Sequence, residues 1–324
     1  MLLLVPHLFP SPRLLEVASQ NLRLPALETV LARGSRQAFA GEGSEAALCQ
    51  ALGIDRQQDW PLAPIALQAD GGDPGTDYWL RADPVHLGVM RDRIVLADSQ
   101  TLELDRAEAD SLVTSIRAHF GDSFAPLALQ PRRWYLRLPQ APRLCTTPLS
   151  CATGRDIDPL LPRGDDASRF RALFNEMQML LHDHPVNLRR EARGQLPVNS
   201  LWLWGGGVLP KARPSGKLKV AADHPDALAL ISFAGAARVS GDAHLDRDRP
   251  DVVLLETLDA AGQSGDAFGW REGVRAIDKM LQGLLQDGRS FTLADPLRGR
   301  ACAWRRACRF KLWRPPRHLT DALQ

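Results

Sequence analysis

The sequence is poor in every feature that would tie it to a specialised environment. Its five cysteines are an odd number spread over 324 residues, which argues against a disulfide scaffold and for a reducing compartment. No apolar run approaches the roughly 18 residues that a membrane span needs. Charge of one sign is not in excess: 40 basic residues stand against 38 acidic ones, and a net charge of +2 gives no overall pull toward nucleic acid or membrane. There is no internal repeat and no low-complexity tract. The opening Met1-Leu2-Leu3-Leu4-Val5 lacks a basic flank and meets Pro6, Pro10 and Pro12 too soon for a secretion signal. A soluble cytoplasmic protein with no membrane partner is expected.

What is present is ordinary globular material: 44% hydrophobic and 24% charged residues, at a length that fits one large domain or two medium ones. Leu2 to Val5 is a short apolar run ended by proline, the pattern of a buried parallel strand. Leu27, Val30 and Leu31 are at helical spacing over 25–33, and Gly34 follows as a stop. Asp105 with Glu108 forms a capping-box-like start to a helix whose Leu112, Val113 and Ile116 share a face. Phe170, Leu173, Phe174, Met177 and Leu181 mark a helix over 168–182, and Val274, Ile277, Leu281 and Leu284 mark another over 270–285. The runs 227–233 and 251–258 read as apolar strands. Strands alternating with helices predict a parallel sheet covered on both faces. The Gly71–Thr76 punctuation suggests a boundary. The expected architecture is a discontinuous α/β core, 1–74 plus 205–324, interrupted by an inserted α+β domain over 75–204.

Residues 184–207 run from His184-Pro185-Val186-Asn187 through Leu201-Trp202-Leu203-Trp204 to Gly205-Gly206-Gly207. This segment resembles the stretch leading back into the core of archaeal-type, cofactor-independent phosphoglycerate mutases, of the alkaline-phosphatase superfamily. The resemblance extends over most of the chain. Leu15–Gly34 resembles the family's "LEAA.TPNLDRLAREG", and Gly43–Leu48 with Leu52–Asp55 resembles "GSDVANLSLLGYDP". Asp77–Val85 is similar to the strand that opens the family's insert, Asp156–Pro159 to "DTDP", Leu209–Ser215 to "VPKLPSF", and Asp251–Asp266 to the segment ending "DEAGHDGD". The chain also resembles proteobacterial proteins of the regulator-of-pathogenicity-factors type. The resemblance implies an alkaline-phosphatase-like parallel sheet with an inserted lid-like domain. Function must still be argued at the site.

A phosphomutase of that kind needs a hydroxyl nucleophile beside two divalent metals, which lower the hydroxyl's pKa and neutralise charge on the transferred group. The resemblance puts Ser44 at the nucleophile; read locally, Ser44 equally serves as a helix cap before Ala46. The ligand positions have eroded. Pro6-His7 replaces the aspartate after the first strand, Gln263 the histidine of "DEAGH", and Pro296 the histidine of "DHSTP". A last family histidine falls near Arg305-Arg306-Ala307. Ser44, Asp259 and Asp295 remain. Two carboxylates and a serine do not fill two coordination spheres that each need about four ligands or more. No cofactor is expected, or Mn or Zn should the site be partly functional with His7 recruited as a ligand.

The family's arginine-rich "DRRAGR" corresponds to Val95–Thr101, so bidentate grip on a phosphoglycerate is weakened. Arg81 and Asp158 remain to hold an anionic or polar ligand, or to serve as surface ion-pair members. Gly205–Gly207 lacks the Lys-Ser/Thr of a Walker motif and reads as a tight turn. Cys145 with Cys151, and Cys302 with Cys308, are spaced too widely for a zinc knuckle. From Arg298 to Arg317 basic residues interleave with Trp304, Phe310 and Trp313. That is either a nucleic-acid surface or an alternating strand with Phe310 and Leu312 on one face. The expected function is a degenerate phosphoglycerate-mutase-like protein that regulates by binding a protein or a small anionic ligand. The alternatives are a metal-dependent mutase or phosphatase with a rebuilt site, and a nucleic-acid-binding module.

Overall fold

The computed structural model describes all residues except 91–92, 98–101, 212–215, 241–248, 317 and 320–324. The chain divides into two units: Met1–Ala51, Ser215–Ile231 and Ala236–Gln324 form the first, Leu52–Pro214 with Ser232–Gly235 the second. The sequence placed the boundaries at 74/75 and 204/205. They fall outside that span because the helix Leu62–Ala69, apolar on nearly every side, packs on the strands of the second unit.

Twelve strands are described: β1 Leu2–Leu4, β2 Ser35–Ala38, β3 Tyr78–Met90, β4 Arg93–Ala97, β5 Leu127–Gln130, β6 Arg133–Leu138, β7 Ser200–Gly207, β8 Lys219–Ala221, β9 Ala237–Val239, β10 Val252–Leu254, β11 Phe291–Asp295 and β12 Arg300–Trp304. In the first unit seven strands pair in the order β2-β12-β11-β1-β10-β8-β9. From β11 to β9 all are parallel; β12 and β2 run antiparallel at one edge. Leu3, Val5, Val253 and Leu293 join one core with the helices Pro12–Ala18, Pro25–Arg33 and Ala267–Gln286. Leu4, Leu254 and Ala294, one residue out of phase, are buried on the opposite face. Burial on both faces is why these strands carry no polar alternation.

The helical stripe at Val274, Ile277, Leu281 and Leu284 is buried as its spacing predicts. The run at 227–233 is not a strand. It is all but the first two residues of the helix Pro225–Phe233, and the strand is the shorter β8 before it. A proline at the first helical position presets φ for a helix, and a short fully apolar run carries no period of its own to decide the matter.

The second unit is antiparallel: β4-β3-β6-β5, with β7 also on β3. Its helix Arg106–Phe120 begins at the complete Asp105/Glu108 capping box. Gly205–Gly207 is not a turn but the end of β7. Trp204 faces Arg81 and Gly207 faces Trp79 across a bulge, with Gly205 at φ +67. A Cβ on Gly206 would lie 2.4 Å from the Tyr78 hydroxyl, so close packing requires glycine there. The histidine-to-glycine motif is likewise structural. His184 caps the helix Pro185–Ala192 through Val186 N–H, and buried Asn187 bonds the Leu181 and Val198 carbonyls and accepts from Val198 N–H.

Candidate functional site

In an open parallel sheet, ligands are met at the carboxyl ends of the strands. The first unit gathers its candidate residues there. Asp295 is the last residue of β11, Pro6 and His7 follow β1, and Asp259 opens the short helix Asp259–Ser264 after β10. Ser44 opens the helix Ser44–Ala51 and is 8% exposed; the Gly43 amide just before it donates to the Pro296 carbonyl, one residue past Asp295. His7 adopts φ +59, its carbonyl accepts from Trp270 Nε1 at 2.9 Å, and its ring lies against Gly262. A Cβ on Gly262 would stand 2.3 Å from His7 Cγ, so the segment carrying Asp259 approaches His7 only because residue 262 is glycine.

The geometry shows what Asp295 now does. Its side chain is wholly buried. Oδ2 accepts from Phe9 N–H at 2.9 Å, while Oδ1 accepts from Leu297 N–H at 2.9 Å and Arg298 N–H at 3.2 Å. Arg298 Nε in turn donates to the Phe9 carbonyl at 3.1 Å. The carboxylate thus ties the loop after β1 to the turn between β11 and β12. Burial raises its pKa, and the three amides with the Arg298 charge oppose that rise.

The residues present do not fit a two-metal centre. Among the described residues no three His, Cys, Asp or Glu side chains converge on a point where a metal ion is held. The deeply placed carboxylate has its oxygens aimed at backbone amides, and proline stands at positions 6 and 296. Cys302 adds nothing: burial pushes its thiol up to about 11, and Sγ donates to the Val30 carbonyl.

Arg81 and Asp158 lie in the second unit and differ in setting. Arg81 is 2% exposed; its Nε and Nη2 donate to Asp83 Oδ1 at 3.1 and 2.9 Å, and its guanidinium stands 5.4 and 5.3 Å from the Tyr135 and Trp204 ring centroids. Asp83 Oδ2 accepts from Trp204 Nε1 at 2.8 Å. Arg81 is therefore a member of a buried ion pair rather than a surface one. Asp158 is exposed, in a single 3-10 turn. Of the segment that replaces the arginine-rich motif, Val95–Ala97 ends β4, while 98–101 lie outside the described residues. Sequence reasoning missed the buried Arg190, which donates to Glu108 Oε2 at 2.6 Å and to the Leu102 and Leu196 carbonyls. Nothing local in the sequence distinguishes it from its neighbours Arg189 and Arg193.

A parallel-stranded α/β core with a serine and aspartates at its carboxyl edge defines the class. No family model matches the chain. It is 30% identical over 212 residues to the 2,3-bisphosphoglycerate-independent phosphoglycerate mutase of Methanosarcina mazei, covering 59% of this chain and 50% of that one. It is 26% identical over 284 residues to phosphoglycerate mutase 2 of the same kind from Methanothermobacter thermautotrophicus, covering 76% and 67%. Among solved structures it is similar to the cofactor-independent phosphoglycerate mutase of Thermoplasma acidophilum, with a TM-score of 0.49 at 18% identity over 99% of this chain and 93% of that one. The chain spans about half the length of the first curated relatives it matches. Over these stretches the chain is similar to 2,3-bisphosphoglycerate-independent phosphoglycerate mutases.

Proposed function

We propose that this chain is a degenerate phosphoglycerate-mutase-like protein that has given up metal-assisted phosphoryl transfer and acts by binding, in a regulatory role in the cytoplasm. One observation carries the reading. Asp295, a surviving ligand position, spends its carboxylate on three backbone amides. The loss of ligand atoms at Pro6, Gln263 and Pro296 supports it. The partner is a protein or a small anionic ligand.

The test is metal content and turnover of the purified protein. Less than a tenth of an equivalent of manganese or zinc, with no interconversion of 2- and 3-phosphoglycerate in either metal, is the expected result. Stoichiometric metal with turnover abolished by Ser44→Ala overturns it. That outcome would establish the second reading, an enzyme with a rebuilt site. The observation favouring this alternative is that Ser44, His7, Asp259 and Asp295 share one edge of the sheet.

A further inference from the structure

The alternating-strand reading of the C-terminal segment fails in a way that opens another. Arg306–Phe310 is a single 3-10 turn and 311–314 is irregular, so no strand buries Phe310 and Leu312 on a common face. Phe310, Leu312 and Trp313 are 62%, 71% and 75% exposed. Natural surfaces tolerate single exposed apolar residues, but three within four positions, one of them tryptophan, mark a contact surface.

The charges around them are of one sign. Between Asp295 and Asp321 the sequence holds no acidic residue, against seven arginines and one lysine. Among the described residues Arg305, Arg306, Arg309, Lys311 and Arg314 pair with no carboxylate. Arg309 lies 4.6 Å from the centroid of the Phe310 ring. The segment is nevertheless held in place. Arg33 donates through Nε to the Arg314 carbonyl and through Nη1 to the Arg309 carbonyl, while Lys311 Nζ donates to the Arg33 carbonyl. The irregular backbone is thus fastened to the end of the helix Pro25–Arg33, in part by Lys311, while the exposed Arg305, Arg306, Arg309 and Arg314 carry no countercharge among the described residues.

We propose that the segment Arg305–Arg314 is a binding surface for single-stranded nucleic acid. Guanidinium groups grip phosphate in a planar, bidentate way and stack on bases, and the cations here are almost all arginine. Phe310 and Trp313 supply faces on which unpaired bases stack. A duplex is a poorer occupant, because the segment offers neither a long helix nor a two-stranded ribbon to enter a groove. An acidic lipid surface is also poorer, since its apolar residues form no amphipathic helix to lie at the interface.

The experiment measures binding of a fluorescent 20-nucleotide single strand to the full chain across a salt series. Four phosphate contacts to a single strand, from Arg305, Arg306, Arg309 and Arg314, give a log–log slope of about −2.8, or about 50-fold weaker binding between 50 and 200 mM salt. Replacing Arg305 and Arg306 together by alanine leaves two contacts, and the same change in salt then weakens binding about 7-fold. Trp313→Ala removes one stacked base, about a 10-fold loss, which Trp313→Phe largely restores. These residues are exposed, so circular dichroism unchanged by the substitutions confirms that only the surface was altered. The proposal is overturned by absence of binding, by a slope that ignores Arg305 and Arg306, by affinity for a duplex equal to that for the single strand, by affinity unchanged in Trp313→Ala, or by capture of phosphatidylserine vesicles without capture of the oligonucleotide.

Discussion

Replacing Asp295 separates a structural carboxylate from a vacated metal ligand. In Asp295→Ala the buried Phe9 amide loses its acceptor, at about 1–3 kcal/mol for an unsatisfied buried donor. The Leu297 and Arg298 amides are partly buried, so water recovers some of their loss, leaving about 1 kcal/mol each. Removing a carboxylate that burial disfavours returns part of this, and the net cost is about 2–4 kcal/mol. Asp295→Asn keeps an oxygen for Leu297 and Arg298 but turns an amide toward Phe9 N–H, costing about 1–2 kcal/mol. Urea unfolding followed by tryptophan fluorescence, in chelator, should show the midpoint falling by about 1 M for alanine and less for asparagine. A metal ligand behaves oppositely: deleting one acid from an empty cluster of acids relieves repulsion and leaves the apo protein as stable or more so. An unchanged midpoint in chelator, with manganese or zinc raising the wild-type midpoint alone, refutes the clamp.

The His184 cap makes stability pH-dependent. Burial, followed by the Arg189 charge, lowers its pKa below 6.5, and Nδ1 must stay unprotonated to accept from Val186 N–H. With the folded value below the unfolded one, this contribution is fully present above pH 6.5 and is lost as pH falls through the folded value. Unfolding at pH 7.5 and 5.5 should therefore show a loss that His184→Asn, a capping residue without the titration, abolishes; a variant retaining the full pH response rejects the assignment. Gly262→Ala must displace His7, whose Cγ, Nδ1 and Cβ lie 2.3–2.6 Å from the new methyl, and should cost about 1–3 kcal/mol by urea midpoint. His7→Gly in the same chain should recover most of that loss, removing both the ring and a φ of +59. Two independent, additive losses would show that the two residues do not touch.

The sequence by itself determined the elements whose signals are local: the helix Arg106–Phe120 with its capping box, the stripe of Ala267–Gln286, and the apolar parallel strand β1. The resemblance also set Pro6, Gln263 and Pro296, which carry no metal-binding carboxylate or imidazole, as the expected departures from the family's ligand pattern. What Asp295 does depends on how distant segments pack. Asp295 reaches Phe9 across 286 residues of chain, and no periodicity or spacing reports a bond of that range. The same holds for Gly205–Gly207, which read as a turn until β3 paired with it, and for 227–233, whose uniform apolarity read as a strand and which folded into the helix Pro225–Phe233. Phe310 and Leu312 looked like one face of a strand, yet a strand needs a partner ladder, and β12 ends at Trp304. Local sequence sets torsional preference and amphipathic phase; which polar atom satisfies which, and which side chain is left outside, is settled when distant segments pack.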